Sequence, residues 1–91
     1  MKKYDYFNIE GEPIICTCKT EIRNFITNSL DNREQHFSLS KDNQFKFNNK
    51  PMKIDMTIVL NTTCSQCNRE VKVIINFVKG IAQNKETIIR S

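Results

Sequence analysis

A small, mostly β domain of antiparallel strands is the fold class this sequence predicts, and three observations carry it. Apolar Ile54, Met56, Ile58 and Leu60 alternate with Lys53, Asp55 and Thr57, while Val71, Val73, Ile75 and Phe77 alternate with Lys72, Ile74, Asn76 and Val78. This period of two belongs to strands that bury one face, and the partly apolar second face of the Val71–Val78 run predicts cover on both sides of that strand. The nine residues between the runs, Asn61-Thr62-Thr63-Cys64-Ser65-Gln66-Cys67-Asn68-Arg69, are polar and turn-prone, so the two runs read as a long C-terminal hairpin. At 91 residues, 38% hydrophobic and 26% charged, the chain supports one globular domain over 1–91.

The earlier elements follow in order. Tyr4 to Ile9 reads as a strand with Tyr4, Tyr6 and Asn8 on one face and Phe7 and Ile9 on the other. Glu10-Gly11-Glu12-Pro13 marks a turn, and Ile14 to Cys18 reads as a second short strand. Ile22, Phe25, Ile26 and Leu30 then recur at helical spacing, with Thr20 as N-cap. They predict a short helix over 20–29 and so a small α+β variant of the fold. The Thr and Asn content of that stretch lowers its helix propensity and leaves a strand as the alternative. His36 to Ser40 and Gln44 to Asn48 alternate cleanly around a Lys41-Asp42-Asn43 turn. Asn48-Asn49-Lys50-Pro51 breaks the chain before the long hairpin, because Pro51 has no N–H for a ladder. Meander-like antiparallel pairing is the expectation.

Four cysteines fall in two close pairs, Cys16-Thr17-Cys18 and Cys64-Ser65-Gln66-Cys67. Zinc takes four ligands in a tetrahedron, with Zn–S bonds near ~2.3 Å. A Cys-x-x-Cys turn lets two sulfurs converge, and it needs a residue tolerant of positive φ just after the second cysteine. Asn68 fills that position. In a strand, residues two apart share a face, so Cys16 and Cys18 reach one ion while Thr17 faces away. Lys19 beside them favours the charged thiolate. The 45 residues between Cys18 and Cys64 make the ion a long-range clip. A structural zinc contributes on the order of 10–16 kcal/mol, as much as the roughly 5–14 kcal/mol that a chain of this size has in total. The metal is therefore expected to be a folding requirement. Unrelated buried thiols, disulfides, a redox-active Cys64/Cys67 pair and an iron–sulfur cluster are the competing accounts.

Residues 53–78 resemble one arm of a zinc-ribbon or zinc-knuckle domain: strand, Cys-x-x-Cys tip, strand. The resemblance is local, and this chain carries Cys-x-Cys where such domains usually repeat Cys-x-x-Cys. It implies a structural ion and a binding role; the group spans transcription, translation and regulatory proteins.

The formal net charge of +4 is uneven. Residues 1–40 carry five basic and six acidic side chains, whereas residues 41–91 carry nine basic and four acidic ones. Lys46, Lys50, Lys53, Arg69 and Lys72 are the candidate partner-binding residues of this basic half, suited to phosphates or an acidic protein surface. A solvated lysine face is the plainer reading. Phe45 and Phe47 around Lys46 either stack bases or pack the core. His36 is the single histidine and two glycines cannot supply a phosphate-cradling loop, so catalysis is not expected. Met1-Lys2-Lys3 has no apolar run behind it, and no stretch approaches the ~20 apolar residues of a membrane span. A cytoplasmic, reducing location is expected.

These readings converge on a non-enzymatic, zinc-stabilised binding module acting on a protein partner. A small stoichiometric regulator or inhibitor of a nucleic-acid-processing complex fits, of the phage or mobile-element type that includes anti-CRISPR inhibitors. The Asn-, Lys- and Ile-rich composition matches an AT-rich genome. Direct DNA or RNA binding and a thiol redox protein are the alternatives.

Overall fold

The computed structural model describes residues 3–90, and every regular element among them is a strand. The strands are β1 Asp5–Ile9, β2 Ile14–Ile15, β3 Glu21–Ile22, β4 Asn24–Thr27, β5 His36–Leu39, β6 Phe45–Phe47, β7 Lys50–Pro51, β8 Met56–Thr63, β9 Glu70–Val78 and β10 Ile81–Arg90. Eight of them form one sheet in the order β10-β9-β8-β4-β1-β5-β6-β7, while β2 and β3 pair separately. All pairings are antiparallel except β1 with β5, which run parallel. The expected meander therefore holds for β5-β6-β7 and β8-β9-β10 but not across the centre. No described helix is long and apolar enough to cross a membrane.

The alternation read from the sequence decides which face is buried, and β9 is covered fully on one face only, since Asn76 and Val78 on its second face are exposed. Phe7, Ile9, Phe25, Phe37, Leu39, Phe45, Ile58, Leu60 and the Val71, Val73, Ile75, Phe77 series all point inward and join one core cluster. The sheet curls until its ends meet: Gln44 bridges Ile81, the Phe45 N–H donates to the Gly80 carbonyl at 2.7 Å, and the Ala82 N–H donates to Asn43 at 2.8 Å. Phe45 stands at the closure, with ring centroids 5.5 Å from Phe37, 5.3 Å from Phe77 and 6.2 Å from Phe7. Phe45 is thus a core residue, and half-buried Phe47 stacks on Phe37 at 4.9 Å.

The turns show why the closure is sharp. Asn48 and Asn49 both have positive φ, as do Lys79 and Gly80, so two-residue turns of the tight hairpin type join β6 to β7 and β9 to β10. A Cβ at Gly80 would collide with the Met52 carbonyl oxygen, so glycine is required there by space as well as by φ. Pro51 lies in the edge strand β7, where its missing N–H costs no ladder bond.

The segment 20–29 is strand rather than helix. Ile22, Phe25 and Thr27 are buried while Asn24 and Ile26 are exposed, a period of two interrupted at Arg23. Arg23 sits at that break and donates to the carbonyls of Ile9, Glu10 and Gly11 at 2.6–3.0 Å, which ties the β2–β3 hairpin to the end of β1. Only two residue pairs link β4 to β8. Hydroxyls extend that seam: Thr27 Oγ1 donates to Val59, and Ser29 Oγ accepts from the Val59 N–H. The 31–34 loop is held from beneath by Asp5, fully buried, whose carboxylate accepts the N–H groups of Asn32, Arg33 and Gln35 at 2.7–3.0 Å.

Candidate metal centre

Two hairpins carry the cysteines to one place. Cys16 and Cys18 occupy the turn between β2 and β3, and Cys64 and Cys67 the turn between β8 and β9. The four Sγ atoms all lie within 4.8 Å of one another. Cys16 and Cys67 are 3.5 Å apart, and Cys18 and Cys64 are 3.6 Å apart. Bonds of about 2.3 Å to a tetrahedral zinc would place sulfurs about 3.8 Å apart, so this spacing fits one ion held by four thiolates. A hard cation such as calcium or magnesium would want oxygen donors, and this donor set has none.

The turns have the same construction despite their different lengths. The Cys16 N–H donates to Thr20 and the Lys19 N–H to Cys16; in the longer turn the Cys64 N–H donates to Arg69 and the Asn68 N–H to Cys64. The residue after the second cysteine is left-handed in both, Asn68 at φ 59° and Lys19 at φ 72°. Asn68 does what the sequence suggested. The first pair differs from expectation, because Cys16 to Cys18 form a turn and not the end of a strand. Lys19 occupies the left-handed region as Asn68 does but without asparagine's tolerance for it, and a side chain with a Cβ is disfavoured there by roughly 1–2 kcal/mol. Thr17 does not simply face away: its Oγ1 accepts a 2.9 Å hydrogen bond from the Arg69 guanidinium, so the two turns are clasped outside the sulfurs as well.

Backbone amides and hydroxyls are aimed at the sulfurs. N–H groups of Cys67 and Gln66 pull the Cys64 thiol down to about 6, against its burial. The Thr20 hydroxyl, 3.1 Å away, and the Thr20 N–H lower Cys18 as well. Cys67 accepts from the Arg69 N–H, which lowers it, but burial and the thiols of Cys16, Cys18 and Cys64 outweigh that bond and push it up to about 11. In the bare cluster the first thiolate therefore forms easily at Cys64, and a further charge at Cys67 is resisted by its neighbours. A divalent cation removes that resistance by neutralising them together. Cys16 and Cys64 are buried, Cys67 is half-buried and Cys18 faces solvent.

The basic candidates do not form one patch. Lys46 projects from the outer face of β6 and is partly covered, Lys50 lies on the edge strand β7, and Lys53 is exposed in the following loop. Lys72 lies on the outer face of β9, with four strands between it and β6. Arg69 belongs to the clasp at the metal centre. What sequence reasoning missed is that His36 joins the Tyr4/Tyr6 face: Tyr6 and His36 stack at 4.9 Å with 15° between planes, and Tyr4 meets Tyr6 edge-on at 5.4 Å. The Tyr4/Tyr6 face was legible, but its meeting with His36 required the parallel β1–β5 pairing.

No family model, curated protein or solved structure matches this chain.

Proposed function

We propose that the chain is a non-enzymatic, zinc-stabilised binding module that occupies a protein partner, acting as a small regulator or inhibitor of a nucleic-acid-processing complex of the kind phages and mobile elements carry. The observation that supports it is the sulfur spacing. Four thiolates at near-tetrahedral separation fill the coordination of a zinc ion and leave no position for water or substrate, which is the arrangement of a structural site. The ion would brace two hairpin tips at one end of the sheet, so that its outer face is presented rigidly and binding does not have to order it first. The knuckle-like construction of both tips is in keeping with the zinc-ribbon resemblance of residues 53–78.

Alkylation of the zinc-loaded protein tests this reading. All four thiols should resist iodoacetamide until a chelator is added. Fast modification of Cys64 or Cys18 in the loaded, folded protein would favour a thiol redox protein instead. Affinity capture from the source cell should then recover a partner in one-to-one proportion with the wild type and not with Cys64→Ser.

A second reading, direct contact with nucleic acid, is favoured by the exposed Tyr6 and His36 rings with half-buried Tyr4 beside them and by the excess of basic residues beyond position 40.

A further inference from the structure

Strand register lines up one outward-facing row across the sheet. Ile88 on β10 stands opposite Lys72 on β9, Lys72 opposite Asn61 on β8, Asn61 opposite Ile26 on β4, Ile26 opposite Tyr6 on β1, and Tyr6 opposite His36 on β5. The row ends at the Asn48–Asn49 turn, whose Asn48 N–H donates to the His36 carbonyl. Two surface grooves lie on it. One, of about 300 Å³, includes Asn61, Lys72, Ile88 and Arg90; the other, of about 470 Å³, includes Tyr6, Asn8, Asn24, His36 and Asn49. Ile26 borders the first and Tyr6 the second, and these two residues are register partners, so the grooves adjoin. With strands about 4.8 Å apart, the six steps from Ile88 to Asn48 run roughly 29 Å along the curved face.

We infer that this row is a binding track for single-stranded nucleic acid, with the Tyr4–Tyr6–His36 rings stacking bases, the flanking asparagine amides meeting base edges and Lys72, Arg90 and Lys46 meeting phosphates. The inference rests on the second reading above and names its surface. Stacking on exposed rings is sequence-tolerant, because every base has a π-face, and contributes about 1–3 kcal/mol per base. The Tyr6 phenol is uncharged: a hydrogen bond to Tyr4 holds it above its ordinary pKa. Amides offer both donors and acceptors, the complement of an unpaired base edge. The cations bracket the rings, Lys72 and Arg90 on the β9–β10 side and Lys46 on β6; Glu70, opposite Arg90 in register, offsets part of the first group. The affinity should therefore be moderate and led by stacking. The outer-face position of the rings also excludes them from the core, where every inward phenylalanine is already packed. The track's length suits a footprint at the short end of the ~4–16 nucleotides that one such β-platform covers.

Fluorescence anisotropy with labelled twelve-residue oligo-dT, oligo-U and a DNA duplex tests the track on the zinc-loaded chain. One or both single strands should bind at about 20 mM salt and weaken on going to about 200 mM, with the duplex weaker than either. Preference for oligo-U over oligo-dT, or the reverse, identifies the source and supports the track either way. Tyr6→Ala should lower affinity roughly five- to a hundredfold, and Lys72→Ala should reduce the salt slope by about 0.7. Lys41→Ala, off the row, should change neither. Zinc content and melting temperature, measured on each variant, separate loss of the track from loss of the fold. Tyr6→Phe should retain most of the affinity if stacking leads. Absence of single-strand binding at low salt overturns the inference, as does binding to which Tyr6 contributes nothing or equal binding of the duplex; a face that serves a protein instead gives the first of these results. Each leaves the alkylation and metal results, and so the zinc-module reading, standing.

Discussion

Stripping zinc from the zinc-loaded chain should lower its melting temperature by tens of degrees. The centre joins the turn at Cys16–Cys18 to the turn at Cys64–Cys67 across the 45 residues that separate them. Treated as a covalent loop of that length, the clip removes about 13–14 cal/mol/K from the unfolded chain, or about 4 kcal/mol at 25 °C. A domain of this size loses roughly 4–8 °C per kcal/mol, so the loop term alone predicts a fall of roughly 16–32 °C. Loss of the four metal–sulfur bonds adds to this. The hydrogen bonds left in the turns are local, and the Arg69–Thr17 clasp is exposed, so little remains to hold the tips together. Scanning calorimetry in reducing buffer, before and after chelation and again after one equivalent of zinc, measures the effect. A reversible fall in this range is expected. A shift of less than about 5 °C would mean that the long-range clip contributes almost nothing.

Three further outcomes follow from individual residues. Lys19→Gly should raise stability by roughly 1 kcal/mol in thermal or urea unfolding of the zinc-loaded protein, because glycine removes the cost of φ 72°. Phe45→Ala should cost about 3–5 kcal/mol in urea unfolding, since it empties the position where three other phenylalanines converge at the sheet closure. Zinc affinity should weaken as pH falls, because protons compete with the ion for the thiolates, and a zinc-indicator titration from pH 8 to 5 reads it. In the metal-free chain the Cys64 thiol is held down to about 6, so the stabilisation its thiolate gives the fold is complete above the ordinary thiol value and is lost as pH falls through about 6; a pH series of melts on the chelated chain checks it.

The β8–β9 hairpin and its cysteine-bearing tip were legible because three signals agreed: strict alternation from Ile54 and from Val71, a polar connection, and an asparagine where a left-handed residue was needed. The same logic did not reach β10. Its ten residues are largely exposed on both faces, so Gln83 to Thr87 show no apolar period, and pairing with β9 alone makes the strand. The stretch 20–29 misled for the opposite reason. Ile22, Phe25 and Ile26 match a helical face by spacing, yet Arg23 absorbs a break between two short strands and Ile26 points outward. The parallel β1–β5 pair left no trace in local pattern, since a parallel strand with one face exposed alternates just as an antiparallel one does. Cys16 and Cys18 were legible as members of one cysteine cluster but not as a turn, because lysine gives no hint that it will adopt positive φ.

Native mass spectrometry of freshly purified, untagged protein, paired with elemental analysis, tests the metal assignment most directly. One zinc per chain is expected, lost together with native melting behaviour when any one of Cys16, Cys18, Cys64 or Cys67 is changed to serine. A chain that arrives without metal and melts cooperatively at the same temperature with or without added zinc would contradict it.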